Sequence, residues 1–186
     1  MKTLSLKIAT SSIILFLATG CASISKEECK TGDWNGIGYK DGSAGKPAAR
    51  VQGYIEECGK HGATVDRAAY DTGRGEGLKT YCTKDNGFKV GKDGGSLFQE
   101  CPANMRPVFA KAWEMGKKIY DLQRRLSSVE SEMSDFEKKI DDPKTSSADK
   151  MSYRSRLREL QRSRDDLNRE MTKAEMSAET EMGGAA

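Results

Sequence analysis

The glycine-rich stretch Cys29–Cys101 contains the side chains best suited to chemistry. Asp33, Asp41, Asp66 and Asp71 could supply the two carboxylates that glycoside hydrolysis requires, one as acid and one as base or nucleophile. Asp33 and Asp66 are at positions where helix N-caps are expected, and Asp41 and Asp71 fit solvated helix faces. A hydrolase with paired aspartates is therefore the alternative interpretation and not the leading one.

His61 is the single histidine of the chain and could act as a base toward a cysteine nucleophile. It lies between Gly59 and Gly62, which predicts a surface turn, and oxidised cysteines could not attack a substrate. The sequence has no Cys-x-x-Cys pair, so a zinc site made of cysteines is not favoured. We predict no catalytic residue, no metal site and no cofactor.

Three lysines stand among glycines between residues 84 and 95, at Lys84, Lys89 and Lys92. With the backbone amides they could form a nest for an anionic group. The spacing is not that of a phosphate-binding loop, and the turn signals Asn86-Gly87 and Asp93-Gly94 predict a small irregular hairpin or a surface loop tied by a disulfide.

The first twenty residues have the organisation of a secretory signal peptide. Lys2 and Lys7 form the positive start, and the uncharged apolar run Ile8–Ala18 is too short to span a bilayer. Removing residues 1–20 takes two of the 31 basic residues away and leaves the 28 acidic ones, so the net charge falls from +3 to +1. This near balance argues against a nucleic-acid partner, which usually requires a basic surface.

The segment Leu17–Cys21 resembles the lipobox of bacterial lipoproteins, although Ala18 stands where that family usually has leucine. The resemblance implies that Cys21 becomes the acylated N-terminus and that the chain contacts the membrane through lipid. Ala22 in place of aspartate implies sorting to the outer membrane, on its periplasmic face. The alternative is an ordinary signal peptide followed by a chance cysteine.

Four further cysteines remain once Cys21 carries lipid. An even number of cysteines in a small exported domain predicts two disulfides, which can pair in three ways. If the chain turns back at Pro47, the expected pairs are Cys29–Cys58 and Cys82–Cys101.

Small residues recur four apart, at positions 38 and 42, 73 and 77, and 112 and 116. A glycine inside a helix costs about 1 kcal/mol relative to alanine, and close approach of a neighbouring backbone would offset that cost. We therefore expect three helices to meet along these thin faces. Aromatic side chains should fill the space around the contact: Trp34, Tyr39, Tyr70, Tyr81 and Trp113.

From Val108 to Ile140 apolar residues follow alternating steps of four and three, the pattern of a coiled-coil seam. Pro143 ends this helix, because the residue before proline is disfavoured in the α region. Ser146 with Asp149 resembles a capping box that begins a second helix.

The second helix repeats the four and three pattern from Tyr153 to Ala178, and one turn position brings both seams face to face. This agreement predicts an antiparallel hairpin. Arg164 falls opposite Val129 as a polar break in the seam. It could set the register or contact a partner, or its stem could lie along the seam with the charged head in water.

The ordered glycines, aromatics and cysteines between Cys29 and Leu122 resemble a family of proteobacterial lipoproteins, the domain of unknown function 2799. The resemblance implies an envelope lipoprotein and no reaction, cofactor or catalytic residue. It rests on Gly32-Asp33-Trp34, residues 38–45, Asp66, residues 70–74, Gly77-Leu78, Tyr81-Cys82, Asn86-Gly87-Phe88, Gly91, Gly94, Cys101-Pro102, Phe109 and Gly116.

Together these observations predict an all-α protein with a disulfide-stapled, glycine-rich helical head and a long antiparallel hairpin. The expected division is a signal peptide at 1–20, a lipidated tether at 21–32, the head at 33–107, the hairpin at 108–182 with its turn near 142–147, and a disordered tail at 183–186. Within the tether, Ala22–Lys30 is expected to have no fixed structure.

The leading functional expectation is a non-enzymatic outer-membrane lipoprotein that binds an envelope protein or the cell wall. The alternative is a peptidoglycan hydrolase using paired aspartates of the head. The expected recognition surface consists of Trp34, Tyr39, Asp41, Tyr70, Arg74 and Phe88.

Overall fold

The computed structural model describes residues 24–183; residues 1–23 and 184–186 lie outside it, and with them the predicted signal peptide, Cys21 and the last three residues of the predicted tail. The described chain forms seven helices and no strand, which confirms the all-α prediction. None of these helices is long and apolar enough to cross a membrane. They are α1 (Lys26–Thr31), α2 (Trp34–Ser43), α3 (Arg50–Gly59), α4 (Arg67–Tyr81), α5 (Lys84–Lys92), α6 (Arg106–Asp141) and α7 (Ser147–Gly183).

Helix α1 corrects the prediction that the tether has no fixed structure. Ser25 and Glu28 form a reciprocal capping box at its start. Ile24 and Cys29 are both buried in the core of the head. The chain is therefore fixed to the head from Ile24 onward.

Helices α2 and α4 are in backbone contact, as the spacing of their glycines predicts. A Cβ atom at Gly42 would overlap the backbone of Arg74 and Leu78, and a Cβ atom at Gly77 would overlap the backbone of Tyr39. The two helices can approach this closely only because these side chains are absent. The approach brings many backbone and side-chain atoms into dispersion contact, which offsets the helix-forming cost of the glycines.

Helices α5 and α6 form a second contact of the same kind. A Cβ atom at Gly91 would overlap the backbone of Trp113 and Lys117, and one at Gly116 would overlap that of Phe88. The expectation that three helices share one contact is therefore wrong. Gly116 pairs with α5 and not with α2 or α4, since helix α5 supplies a partner that the sequence pattern did not reveal.

The two helix pairs are repeats of one another. We call α2 with α4 the first unit, and α5 with residues 106–120 of α6 the second unit. Residues 38–45 correspond to 87–94, and residues 70–81 correspond to 109–120, with equivalent backbone contacts at each shared glycine. Gly45 and Gly94 both have positive φ, 62° and 77°, and each lies against a tyrosine ring, Tyr81 and Tyr120 respectively.

Helix α5 replaces the irregular hairpin or loop predicted between Thr83 and Glu100. Thr83 caps its N-terminus by accepting a hydrogen bond from the Asn86 amide. Gly87 and Gly91 favour a turn when read alone, but both are buried against the backbone of α6. Tertiary contact therefore overrides the local preference of this segment, and a loop able to cradle an anion is absent at residues 84–92.

Both predicted disulfides are confirmed. Cys29 bonds to Cys58, with the Cα atoms 5.3 Å apart, and Cys82 bonds to Cys101, with the Cα atoms 5.7 Å apart. The first joins α1 to α3, and α3 covers one face of the first unit. The second joins the end of α4 to the segment between α5 and α6, and side chains of this segment cover the equivalent face of the second unit around Phe109.

Helices α6 and α7 form the predicted antiparallel hairpin, connected by residues 142–146. The rings of Phe136 and Tyr153 lie 5.4 Å apart near the turn, and Leu122 and Leu167 share a core cluster nearer the head. Arg164 is half-buried along the seam, and its guanidinium pairs with Asp165 at 3.2 Å. The first turns of α6 belong to the second unit, so the head extends into the predicted hairpin.

We predict that Gly77→Ala destabilises the protein by about 1–3 kcal/mol, because the added methyl group forces α2 and α4 apart. Gly75→Ala is the matched control in the same helix. Its Cβ atom would meet nothing within 4 Å, so it should stabilise the fold by about 0.5–1 kcal/mol. Urea unfolding of both variants measures the difference. Equal effects of the two substitutions would contradict the close backbone contact.

Candidate functional site

The six residues predicted to form a recognition surface do not share one. Trp34, Asp41, Tyr70 and Arg74 are buried, with at most 8% of each residue exposed. Tyr39 is 45% exposed and Phe88 is half-buried. The prediction is therefore corrected: four of the six residues hold the head together, and two remain accessible from outside.

Asp41 is the centre of a hydrogen-bonded cluster inside the head. The hydroxyl groups of Tyr54 and Tyr70 each donate to its Oδ2 at 2.9 Å, and Arg50 Nε lies 3.4 Å from its Oδ1. These partners come from α3 and α4 while Asp41 belongs to α2. The carboxylate thus joins three helices, and both of its oxygens are occupied.

Burial raises the pKa of Tyr70 far above its usual value, and the hydrogen bond to Asp41 raises it further. Burial also raises the pKa of Tyr54. Both tyrosines therefore stay protonated at physiological pH and act as donors to the carboxylate. The two hydroxyl groups therefore connect α3 and α4 to the carboxylate of α2.

Arg74 forms a second buried cross-link. Its guanidinium donates to the Lys46 carbonyl at 2.8 Å and to Glu100 at 2.5 Å, and Glu100 in turn accepts from the Ala48 amide at 2.8 Å. These hydrogen bonds join α4 to residues 46–48 and to Glu100. Arg74 therefore fixes the loop before α3 and the loop before α6, and its role is internal.

The remaining candidate aspartates also have structural partners. Asp33 and Asp66 accept hydrogen bonds from the backbone amides three residues later, each at 2.9 Å, as N-caps do. Asp71 is exposed and pairs with Arg67 at 2.8 Å on the same helix. The sequence expectation for the two caps is confirmed.

The cysteines and His61 do not combine into a reactive site in the described chain. Cys58 lies closest to His61 in sequence and is bonded to Cys29, so it has no thiol to offer. His61 Nε2 lies 3.8 Å from Glu57 one turn away. Within residues 24–183 no group of three or more His, Cys, Asp or Glu side chains could hold a metal ion.

The outer groove of the second unit is occupied by the end of α7. Ala174 and Ala178 of α7 pack in one cluster with Ile119 of α6, and Phe88 of α5 packs against the same cluster. Alanine side chains allow the helix to approach closely. The second unit therefore shows how a third helix can lie on a glycine-mediated pair.

The equivalent groove of the first unit is uncovered in the described chain. Tyr39 corresponds to Phe88, Ser43 to Lys92 and Thr80 to Ile119. Tyr39 and Thr80 are exposed and Ser43 is half-buried. We call this surface the open groove. The sequence analysis missed it, although the offset match between residues 38–45 and 87–94 could have located it.

We predict that the stability of the protein falls as pH rises above about 10, the pKa of a tyrosine in the unfolded chain. The folded chain holds the protons of Tyr54 and Tyr70 more tightly because their pKa values are raised, so the unfolded state releases them first. Tyr70→Phe should cost about 1–3 kcal/mol at neutral pH and flatten this decline.

Urea unfolding at a series of alkaline pH values measures the decline, with Tyr39→Phe as the exposed control. A Tyr70→Phe variant whose stability declines as steeply as that of the original chain would contradict the assignment.

Comparison with known families agrees with the resemblance predicted from the sequence. The matched region, residues 33–118, is slightly less than half of the 186-residue chain and begins at the Asp33 cap. It includes almost all of both units and excludes most of the hairpin. No curated protein and no solved structure matches the chain. The family model that matches this segment is described as Protein of unknown function (DUF2799).

Proposed function

We propose that this protein is a non-enzymatic lipoprotein, anchored at Cys21 in the periplasmic face of the bacterial outer membrane, that binds an α-helix of another envelope protein in the open groove. The observation that carries the proposal is the difference between the two units. One groove holds a helix of this chain, and its repeat around Tyr39 holds none among the described residues.

The occupied groove supports a specific kind of partner. Helix α7 lies there with Ala174 and Ala178 toward the contact. The open groove has Ser43 and Thr80 in place of Lys92 and Ile119, so its side chains are shorter, it lacks the lysine charge, and it offers two hydroxyl groups. A partner helix should therefore present small residues and at least one hydrogen-bonding group toward Tyr39.

The partners already found for the aspartates support a binding role over hydrolysis. A glycosidase needs two carboxyl groups that both reach the substrate. Asp33 and Asp66 are engaged as caps, and Asp41 is enclosed by two tyrosines and Arg50. The cell-wall hydrolase remains the second candidate function. It would have to use the exposed Asp71 together with Asp33, Asp41 or Asp66.

We expect a photoreactive amino acid at position 39 to crosslink one envelope protein in intact cells, because Tyr39 forms the centre of the open groove. The same substitution at Ile55, which is also exposed at 41% but lies on α3, is the control. Mass spectrometry identifies the crosslinked peptide. The binding proposal fails if position 39 yields no product, or the same products as position 55.

Incubation of the purified protein with peptidoglycan distinguishes the hydrolase from the proposed binding protein. Binding without released fragments agrees with a non-enzymatic role. Released fragments that disappear in Asp41→Asn, or in the exposed variant Asp71→Asn, would replace the proposal by the hydrolase.

We expect Cys21→Ser, exported behind a signal peptide that is cleaved without lipidation, to move the protein from the outer-membrane fraction to the soluble periplasm, because the substitution removes the thiol that carries the lipid. Fractionation with immunodetection measures the shift, and the intact mass of the mature original protein should exceed that of its polypeptide by the acyl chains. A variant that stays in the membrane fraction would contradict the anchor.

A further inference from the structure

Helix α7 carries a charge pattern that the hairpin itself does not use. Residues 147–164 contain six basic and two acidic side chains, whereas residues 165–183 contain two basic and six acidic ones. The two halves of one helix therefore have net charges of +4 and −4, each the difference between these counts. A helix of this kind attracts a second copy of itself when the two copies run in opposite directions.

Exposed residues of the basic half lie on one line along α7. The line passes through Met151, Arg154, Arg158 and Gln161, in alternating steps of three and four. This spacing is that of a coiled-coil seam. The line lies beside the seam that packs on α6, so it remains available while the hairpin is closed.

The line continues through the acidic half with the same steps, at Thr172, Glu175, Glu179 and Met182. The midpoint of the line lies between Asp165 and Asn168. When a second copy is laid antiparallel, the basic half of each copy faces the acidic half of the other. The resulting pairs are Met151–Met182, Arg154–Glu179, Arg158–Glu175, Gln161–Thr172 and Asp165–Asn168.

Four of the five charges on this line have no ion-pair partner within the described chain; the fifth, Asp165, pairs with Arg164. Arg154, Arg158, Glu175 and Glu179 form no ion pair or side-chain hydrogen bond with residues 24–183, although neighbouring charges such as Arg156 do so across the hairpin. Like charges four apart on a helix repel and weaken it. The stability of the hairpin therefore gives no reason for the pattern, and a second copy does.

The ends of the line are apolar, and a groove lies at one of them. Met151 is 71% exposed near the hairpin turn. At the other end, Met182 lines the groove of about 390 Å³ that remains between the end of α7 and the second unit, together with Phe88 and Ile119. The antiparallel arrangement places the Met151 side chain of one copy at the groove of the other, where its apolar surface leaves water.

We propose that two copies of this chain form an antiparallel dimer through α7, with Arg154 and Arg158 of each copy paired to Glu179 and Glu175 of the other. A two-fold axis passes between Asp165 and Asn168, so every pair occurs twice. The heads then lie at opposite ends of the dimer, about 50 Å apart at 1.5 Å per helical residue.

Sedimentation equilibrium of the full mature chain, with Cys21→Ser to avoid detergent, tests the dimer. We expect the original chain to dimerise and each of two double variants, R154E/R158E and E175R/E179R, to weaken association at least about tenfold, because each creates four like-charge pairs. Mixing the two variants should restore a dimer containing one chain of each. Circular dichroism of each variant checks that the helices are retained.

A second measurement tests the register. Met151→Cys with Met182→Cys should give a disulfide-linked dimer on oxidation, whereas either substitution alone should not, since equivalent positions lie far apart in the antiparallel arrangement. A monomeric original chain, a mixture that fails to restore the dimer, or crosslinks in the single variants would overturn the proposal. Binding of a monomeric chain to anionic phospholipid vesicles that R154E/R158E abolishes would also overturn it and assign the basic half to lipid.

Discussion

Close contact between helix backbones at paired glycines is the constraint on which the rest of the head depends. With Gly42 and Gly77 in contact, the side chains around them converge on a small volume, and Asp41 comes within hydrogen-bonding distance of Tyr54 and Tyr70. One disulfide joins α1 to α3, which covers the first pair, and the other joins the end of α4 to the segment that covers the second pair. The buried carboxylate and the covalent links therefore secure an arrangement that the glycines make possible.

The two glycine units show that the same pair of helices can be covered by different segments of the chain. In the first unit the Asp41 cluster and α3 cover one face, and in the second unit Val90 replaces the aspartate and an apolar loop around Phe109 covers the equivalent face. The shared backbone contact is unchanged while the covering segments differ. The groove beside Tyr39 lacks a covering helix among residues 24–183, and the proposed binding surface lies there.

Much of this fold follows from local sequence rules. The features that local rules did not predict all have the same cause. The caps at Asp33 and Asp66, the hairpin turn and both disulfides agree with expectation, because each depends on residue type and spacing. Helix α5 was missed because its glycines are stabilised by α6, which only the tertiary structure brings close. Tyr70 and Arg74 were expected outside for the same reason, since spacing does not tell which face of a glycine-rich helix is covered.

The burial of Ile24 would limit where the head can lie if Cys21 carries the proposed lipid. Ile24 is already buried, so a lipid on Cys21 would be connected to the head by three peptide units, a reach of about 10 Å when fully extended. The protein would then rest against the lipid headgroups and could neither stand away from them nor rotate freely. The distance from the membrane would then limit its partners. A helix that enters the open groove would have to belong to a protein that lies within a few ångströms of the same leaflet.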